Sequence, residues 1–91
     1  MVEIKRNESK SRYEATVDGC AAGFAAYERD GRTVKITHTV VQPEFEGEGV
    51  GSALAKHVLE QSRASGQKVV PACEFMAAYL DKHPEFKDLL A

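Results

Sequence analysis

Up to Val41 apolar and polar residues alternate along the chain with a period of two; beyond it the apolar spacing changes to three and four. Val2 and Ile4 alternate with Glu3 and Lys5, which predicts a short edge strand. Asn7 to Ser11 is polar and reads as a turn. Tyr13, Ala15 and Val17 alternate with Arg12, Glu14 and Thr16, a second half-buried strand. Asp18-Gly19 follows, a pair that tolerates positive φ at both positions and therefore predicts a two-residue hairpin. Cys20 to Glu28 reads as a third strand whose small residues, Ala21, Ala22, Gly23, Ala25 and Ala26, leave room for close packing. Asp30-Gly31 repeats the hairpin signal, and Thr33 to Val41 is rich in β-branched residues, a fourth strand.

Pro43 ends that strand. A helix is predicted from Gly49 or Val50 to Ala64, with Val50, Ala53, Leu54, Val58 and Gln61 as its inward stripe and Lys56, Glu60 and Arg63 outside. Gly66 stops it. Lys68 to Cys73, containing Val69-Val70-Pro71, predicts a fifth strand, placed parallel to the fourth by a right-handed crossover. Phe75, Met76, Tyr79 and Leu80 predict one face of a second helix, closed at His83-Pro84, and Phe86, Leu89 and Leu90 a last helical turn. The fold class is α+β: an antiparallel four-strand meander, a helix opened by a glycine loop, a fifth strand parallel to the fourth, and a C-terminal helix. No repeat or linker interrupts residues 1–91, which read as a single domain.

The strand-to-helix junction, Val40 to Leu54, carries the candidate chemistry. Gly47, Gly49 and Gly51 at alternate positions leave little side chain over the loop, so a ligand can approach its N–H groups. The first turn of a helix has donors without intrahelical partners and carries partial positive charge. Together these make an anion seat, most often for phosphate or pyrophosphate. A flexible connection is the plainer alternative. The absence of Gly-Lys-Ser/Thr excludes a Walker loop, and the glycine spacing excludes a dinucleotide fingerprint.

Ninety-one residues bury a modest core, about 60–65% of the unfolded surface. A net charge of -2 lacks the basic excess a nucleic-acid partner requires. The start, Met1 to Arg6, is too polar for a signal peptide, and no apolar run approaches the roughly 20 residues that span a bilayer. Two cysteines, Cys20 and Cys73, make no disulfide framework, so reduced thiols in a cytoplasmic setting are expected.

Three segments carry a family resemblance: Thr37-His38-Thr39-Val40-Val41-Gln42-Pro43; Gly47-Glu48-Gly49-Val50-Gly51-Ser52-Ala53-Leu54; and Val69-Val70-Pro71-Ala72-Cys73-Glu74-Phe75 with Tyr79 and His83-Pro84-Glu85-Phe86. With this order of elements, the chain from Tyr13 onward resembles the GNAT superfamily of N-acetyltransferases, in particular its small, single-domain, YjdJ-type members. The resemblance implies acetyl-CoA as co-substrate. Its pyrophosphate would lie on Glu46, Gly47, Glu48, Gly49, Val50, Gly51 and Ser52, and its pantetheine arm along Val40 and Val41. The chain departs from the superfamily's Gln/Arg-x-x-Gly-x-Gly/Ala motif in having Glu46 at the first position. Glu44 and Glu48 add further negative charge beside the seat, and weak, micromolar binding is expected.

Acetyl transfer needs a polarised thioester, a neutral amine and a tolerated thiolate. Cys73 falls at the N-cap of the second helix, where the dipole favours a thiolate nucleophile and an acetyl-cysteine intermediate; Glu74 beside it opposes this. The alternative is a structural thiol. His38, on the same side of its strand as Val34, Ile36 and Val40, is a candidate base or a core histidine. Tyr79, a turn beyond Phe75, is a candidate proton donor to the departing thiolate or a core aromatic. None of these has metal-ligand spacing, and no metal is expected. The resulting expectation is acetyl transfer to an amine of unspecified identity, such as a protein amine reached through an open site, with no nucleic-acid or membrane partner. The alternatives are a silent CoA-binding module and an interaction domain for another phosphate ligand.

Overall fold

The computed structural model describes residues 2–91. Its elements are β1 (Val2–Asn7), β2 (Arg12–Val17), β3 (Cys20–Asp30), β4 (Thr33–Val41), α1 (Val50–Ala64), β5 (Lys68–Pro71) and α2 (Glu74–Lys82). One mixed sheet runs in the order β1-β2-β3-β4-β5, with β1 to β4 antiparallel and β5 parallel to β4. Asp18 and Gly19 both take positive φ, as the first hairpin demands. In the second hairpin Asp30 still pairs with Thr33, so the turn is Gly31-Arg32, one residue later than the Asp-Gly pair suggests. The polar Asn7 to Ser11 stretch holds a short 3-10 turn, Glu8–Lys10, capped by the Asn7 side chain. β5 stops at Pro71, two residues early, because Ala72 and Cys73 turn the chain into α2.

The core lies between the sheet face carrying Tyr13, Ala15, Val17, Ala25, Tyr27, Val34 and Ile36 and the two helices. The buried stripe of α1 is wider than the simple spacing suggests: Val50, Gly51, Leu54, Ala55, Val58, Leu59 and Ser62 are buried, whereas Ala53 is half-buried and Gln61 exposed. Each fully buried Val or Leu contributes about 1.5–3 kcal/mol. On α2, Met76, Tyr79 and Leu80 face the core, but Phe75 is 40% exposed. The 3-10 segment Pro84–Leu89 folds back on this layer through Phe86 and Leu89, and Arg63 of α1 holds it by pairing with Asp88 at 3.0 Å. No helix among the described residues is long and apolar enough to cross a membrane.

One irregularity reorganises the end of β4. Tyr27 pairs with Ile36, but the next residue along β3, Ala26, pairs with His38. Thr37 is therefore an extra residue, a β-bulge, and its hydroxyl donates to the Ala26 carbonyl at 3.3 Å. Past the bulge the two sides of the strand exchange. Thr39 and Val41 now face the core side, opposite Ala25 and Gly23, while His38 and Val40 lie opposite Ala26 and Phe24 on the other face. His38 therefore does not share a side with Val34 and Ile36.

Candidate functional site

Pro43 follows β4 and opens a short 3-10 turn, Pro43–Phe45. Gly47 and Gly49 then take φ of +85° and +77°, and Gly49 is the N-cap of α1. Being glycine, Gly49 provides no side-chain cap, and the first turn contains no acid. Some loop amides are occupied: Glu46 N–H donates to the Pro43 carbonyl, Glu48 N–H to that of Phe45 and Ala53 N–H to that of Gly49. Those of Gly47, Gly49, Val50, Gly51 and Ser52 have no acceptor among the described residues. They stand at the N-terminus of a 15-residue helix, where such donors and the helix dipole favour an anion.

A cleft of about 210 Å³ opens over these amides, lined by Val41, Phe45, Glu46, Gly47, Gly49, Val50, Gly51, Ser52 and Phe75. Seven of the nine residues expected to hold the co-substrate therefore line it. Glu48 and Val40 do not: Glu48 is exposed, and the bulge turns Val40 to the opposite face. Of the three loop carboxylates only Glu46 lines the cleft.

Phe45 and Phe75 were not anticipated in this wall. A methyl group on Gly51 would sit 2.6 Å from the tip of the Phe75 ring, so the glycine admits the aromatic. Residue 51 thus serves both close ring packing and a bare amide.

At Val41 the cleft borders the end of β4, where the sheet has a gap. β4 and β5 pair only from Thr33↔Lys68 to Ile36↔Pro71, with Ala72 N–H adding a last bond to the Ile36 carbonyl. Beyond this point β4 runs on to Val41 without β5 beside it. Cys73 sits at the head of the gap. It is the N-cap of α2, and its sulfur accepts from the Met76 N–H at 3.4 Å and lies 3.3 Å from the Thr39 hydroxyl. Thr39 is the partner that sequence reasoning missed, because only the bulge turns it to this side.

The other candidates lie apart. His38 is exposed on the far face, its ring 3.2 Å from the Thr37 hydroxyl. Tyr79 is buried and stacked on His83, with ring centroids 4.0 Å apart. Burial first, then the charges of Glu85 and Glu60, raises its phenol above the ordinary value of 10.0 and keeps it neutral. No group of three or more His, Cys, Asp or Glu among the described residues is placed to hold a metal ion.

The sequence model of the GCN5-related N-acetyl-transferase family matches residues 12–89. A comparison with curated protein sequences finds no match. Among solved structures, a GCN5-like protein from Staphylococcus aureus superposes with a TM-score of 0.76 at 28% identity, over 98% of this chain and 87% of that one. The ribosomal-protein-S18-alanine N-acetyltransferase of Escherichia coli gives 0.66 at 22% identity, over 85% of this chain but only 52% of the enzyme. An N-acetylglutamate synthase from Neisseria gonorrhoeae, solved with coenzyme A and N-acetyl-glutamate, gives 0.64 at 17% identity, over 96% of this chain and 26% of that one. At these identities the last two show a shared fold. With nearly its whole length matched by the family model, the chain belongs to the GCN5-related N-acetyltransferase family.

Proposed function

We propose that the chain binds acetyl-CoA in the glycine-loop cleft and transfers the acetyl group to an amine, with Cys73 as nucleophile. The observation that carries this reading is the set of unpaired amides at Gly47, Gly49, Val50, Gly51 and Ser52, opening into a cleft that reaches the free end of β4 at Val41. A diphosphate accepts from these amides. The pantetheine arm, which carries amide groups, pairs with the exposed edge of β4 much as a strand would, passing Val41. That path ends at the head of the gap, beside Cys73 and Thr39.

Two donors support negative charge on the sulfur: the Met76 N–H and the Thr39 hydroxyl. The thiolate attacks the thioester carbonyl and forms an acetyl-cysteine. The bond from that carbonyl to the CoA sulfur breaks, and CoA leaves as a thiol after taking up a proton. A neutral amine then attacks the acetyl-cysteine, the Cys73 thiolate departs, and the amine's surplus proton passes to solvent. His38 faces away from Cys73 across the sheet, so it takes no part in the cysteine step. Its exposed position suits contact with an acceptor on the open face. The loop carboxylates weaken the seat only modestly, since exposed charges interact by about 1 kcal/mol at 4 Å.

The test is intact mass after incubation with acetyl-CoA. One added acetyl group, about 42 Da, mapped to Cys73, is the expected result. CoA binding by calorimetry with no transfer to polyamines, lysine peptides or small amines would leave a silent binding module, and no binding at millimolar CoA would remove the cofactor claim.

A further inference from the structure

The two outer edges of the sheet differ. At β5, Leu90 bridges Val69, and Ala91 N–H donates to the Val69 carbonyl at 3.1 Å. At β1 the strand pairs with β2 on one side, from Val2↔Val17 to Asn7↔Arg12, and no strand among the described residues lies on the other. Alternate N–H and C=O groups of β1 therefore point outward, a template for a further strand. Val2 and Ile4, opposite Val17 and Ala15, lie half-buried at the rim of the core. Glu3 and Lys5 project from the other face and are exposed. Neither has an opposite charge within ion-pair distance among the described residues. Glu14, which lies opposite Lys5 on β2, is taken by Arg12.

We propose that β1 is the seam of a twofold dimer, pairing antiparallel with β1 of a second copy of this chain. Nothing in this seam depends on the acetyl-CoA reading of the cleft. Charge and parity together select one register. Directly opposed residues of an antiparallel pair point to the same side. Keeping both helix layers on one side, with Val2 and Ile4 beside the seam's core face, therefore requires even positions to oppose even ones. Setting Ile4 against the partner's Val2 opposes Glu3 to the partner's Glu3. Setting Ile4 against the partner's Arg6 opposes Lys5 to the partner's Lys5. Setting Ile4 against the partner's Ile4 opposes Glu3 to the partner's Lys5, and the twofold axis makes that ion pair twice. In this register Arg6 faces the partner's Val2. Its guanidinium is engaged by Glu8 of its own chain, which leaves the aliphatic stem to cover the valine. An edge lysine by itself discourages pairing. Glu3, two residues away, turns that repulsion into the choice of a single self-complementary register.

The experiment is sedimentation equilibrium of the full chain at low ionic strength. It compares the wild type, Glu3→Lys, Lys5→Glu, and the two variants mixed in equal amounts. Both side chains are exposed, so both variants keep the fold. The wild type is expected to dimerise. Glu3→Lys opposes lysine to lysine at two points of the seam, and Lys5→Glu opposes glutamate to glutamate. Each is expected to weaken the dimer about five- to fiftyfold, the effect of reversing two cross-strand pairs. In the mixture every opposed pair again has opposite charges, so the variants should form a heterodimer close to wild-type strength. Such rescue cannot come from damage to either fold. A wild type that stays monomeric at about 1 mM overturns the inference. So does a dimer that the single changes leave intact, or a mixture that associates no better than its parts.

Discussion

Replacing Gly49 by alanine tests the loop most directly. Gly49 takes φ +77°, and a methyl group built there meets nothing within 4 Å. Steric collision is therefore absent, and the whole effect comes from the backbone. An L-residue in the left-handed region costs roughly 1–2 kcal/mol. A domain of this size has roughly 5–14 kcal/mol of stability, so Gly49→Ala still folds. With a urea m-value of about 1 kcal/mol/M, the low end of the usual range, the midpoint falls by about 1–2 M and the slope is unchanged.

Relief of the strain rotates the peptide planes leading into Val50 and Gly51, turning their N–H groups away from the cleft. A charge-assisted bond from an amide to a phosphate is worth about 1.5–3 kcal/mol, so CoA affinity falls about tenfold or more. Gly49→Asn, whose side chain tolerates this region, should lose less on both measures. Urea melts and calorimetry on the two variants suffice. An alanine variant with an unchanged midpoint and unchanged CoA binding would show that neither the positive φ nor the amide array matters.

Three further outcomes are expected. Cys73→Ser keeps a good N-cap for α2 and so nearly wild-type stability, but loses acetyl incorporation by intact mass; Cys73→Ala loses incorporation and about 1 kcal/mol of stability in urea melts as well. Gly51→Ala forces the Phe75 ring from its seat at a cost of about 1–3 kcal/mol, against a helix-propensity gain of about 1 kcal/mol. In a Phe75→Ala background the same change should be neutral or stabilising, and a double-mutant cycle without coupling would contradict the contact. The fold favours the neutral Tyr79 phenol, so the stability this contributes is present below pH 10.0 and is lost as pH rises through the raised folded value. Tyr79→Phe should flatten that alkaline decline in urea melts carried from about pH 9 to pH 11.

Much of the architecture is legible in the sequence because its signals are local. Alternation in Arg12–Val17 and Thr33–Val41 marks strands, Asp18-Gly19 marks a turn, and Gly47, Gly49 and Gly51 mark the loop. What escapes is set by contacts between distant segments. Thr37-His38-Thr39 is an unbroken β-branched and polar run, and nothing in it announces that Thr37 is unpaired opposite β3. Periodicity places Phe75 in the core, yet its ring lies over Gly51 and stays 40% exposed. The N-cap role of Cys73 is visible from its position before an amphipathic run, whereas its contact with Thr39 depends on the bulge. The free amides of the loop follow from the conformation, which glycine spacing permits without imposing.

The single surplus residue at position 37 works as a phase shift within one strand. Upstream of it, odd-numbered positions meet solvent; downstream, they look inward. Were Thr37 paired in plain register opposite Ala26, the two-residue rhythm would carry an imidazole and Val40 under the helix layer. The Thr39 hydroxyl and Val41 would be sent outside, and the sulfur at residue 73 would lose its neighbour across the gap. A deletion of Thr37 itself would keep each of these residues on its present face, because the residue lost is the one without a partner.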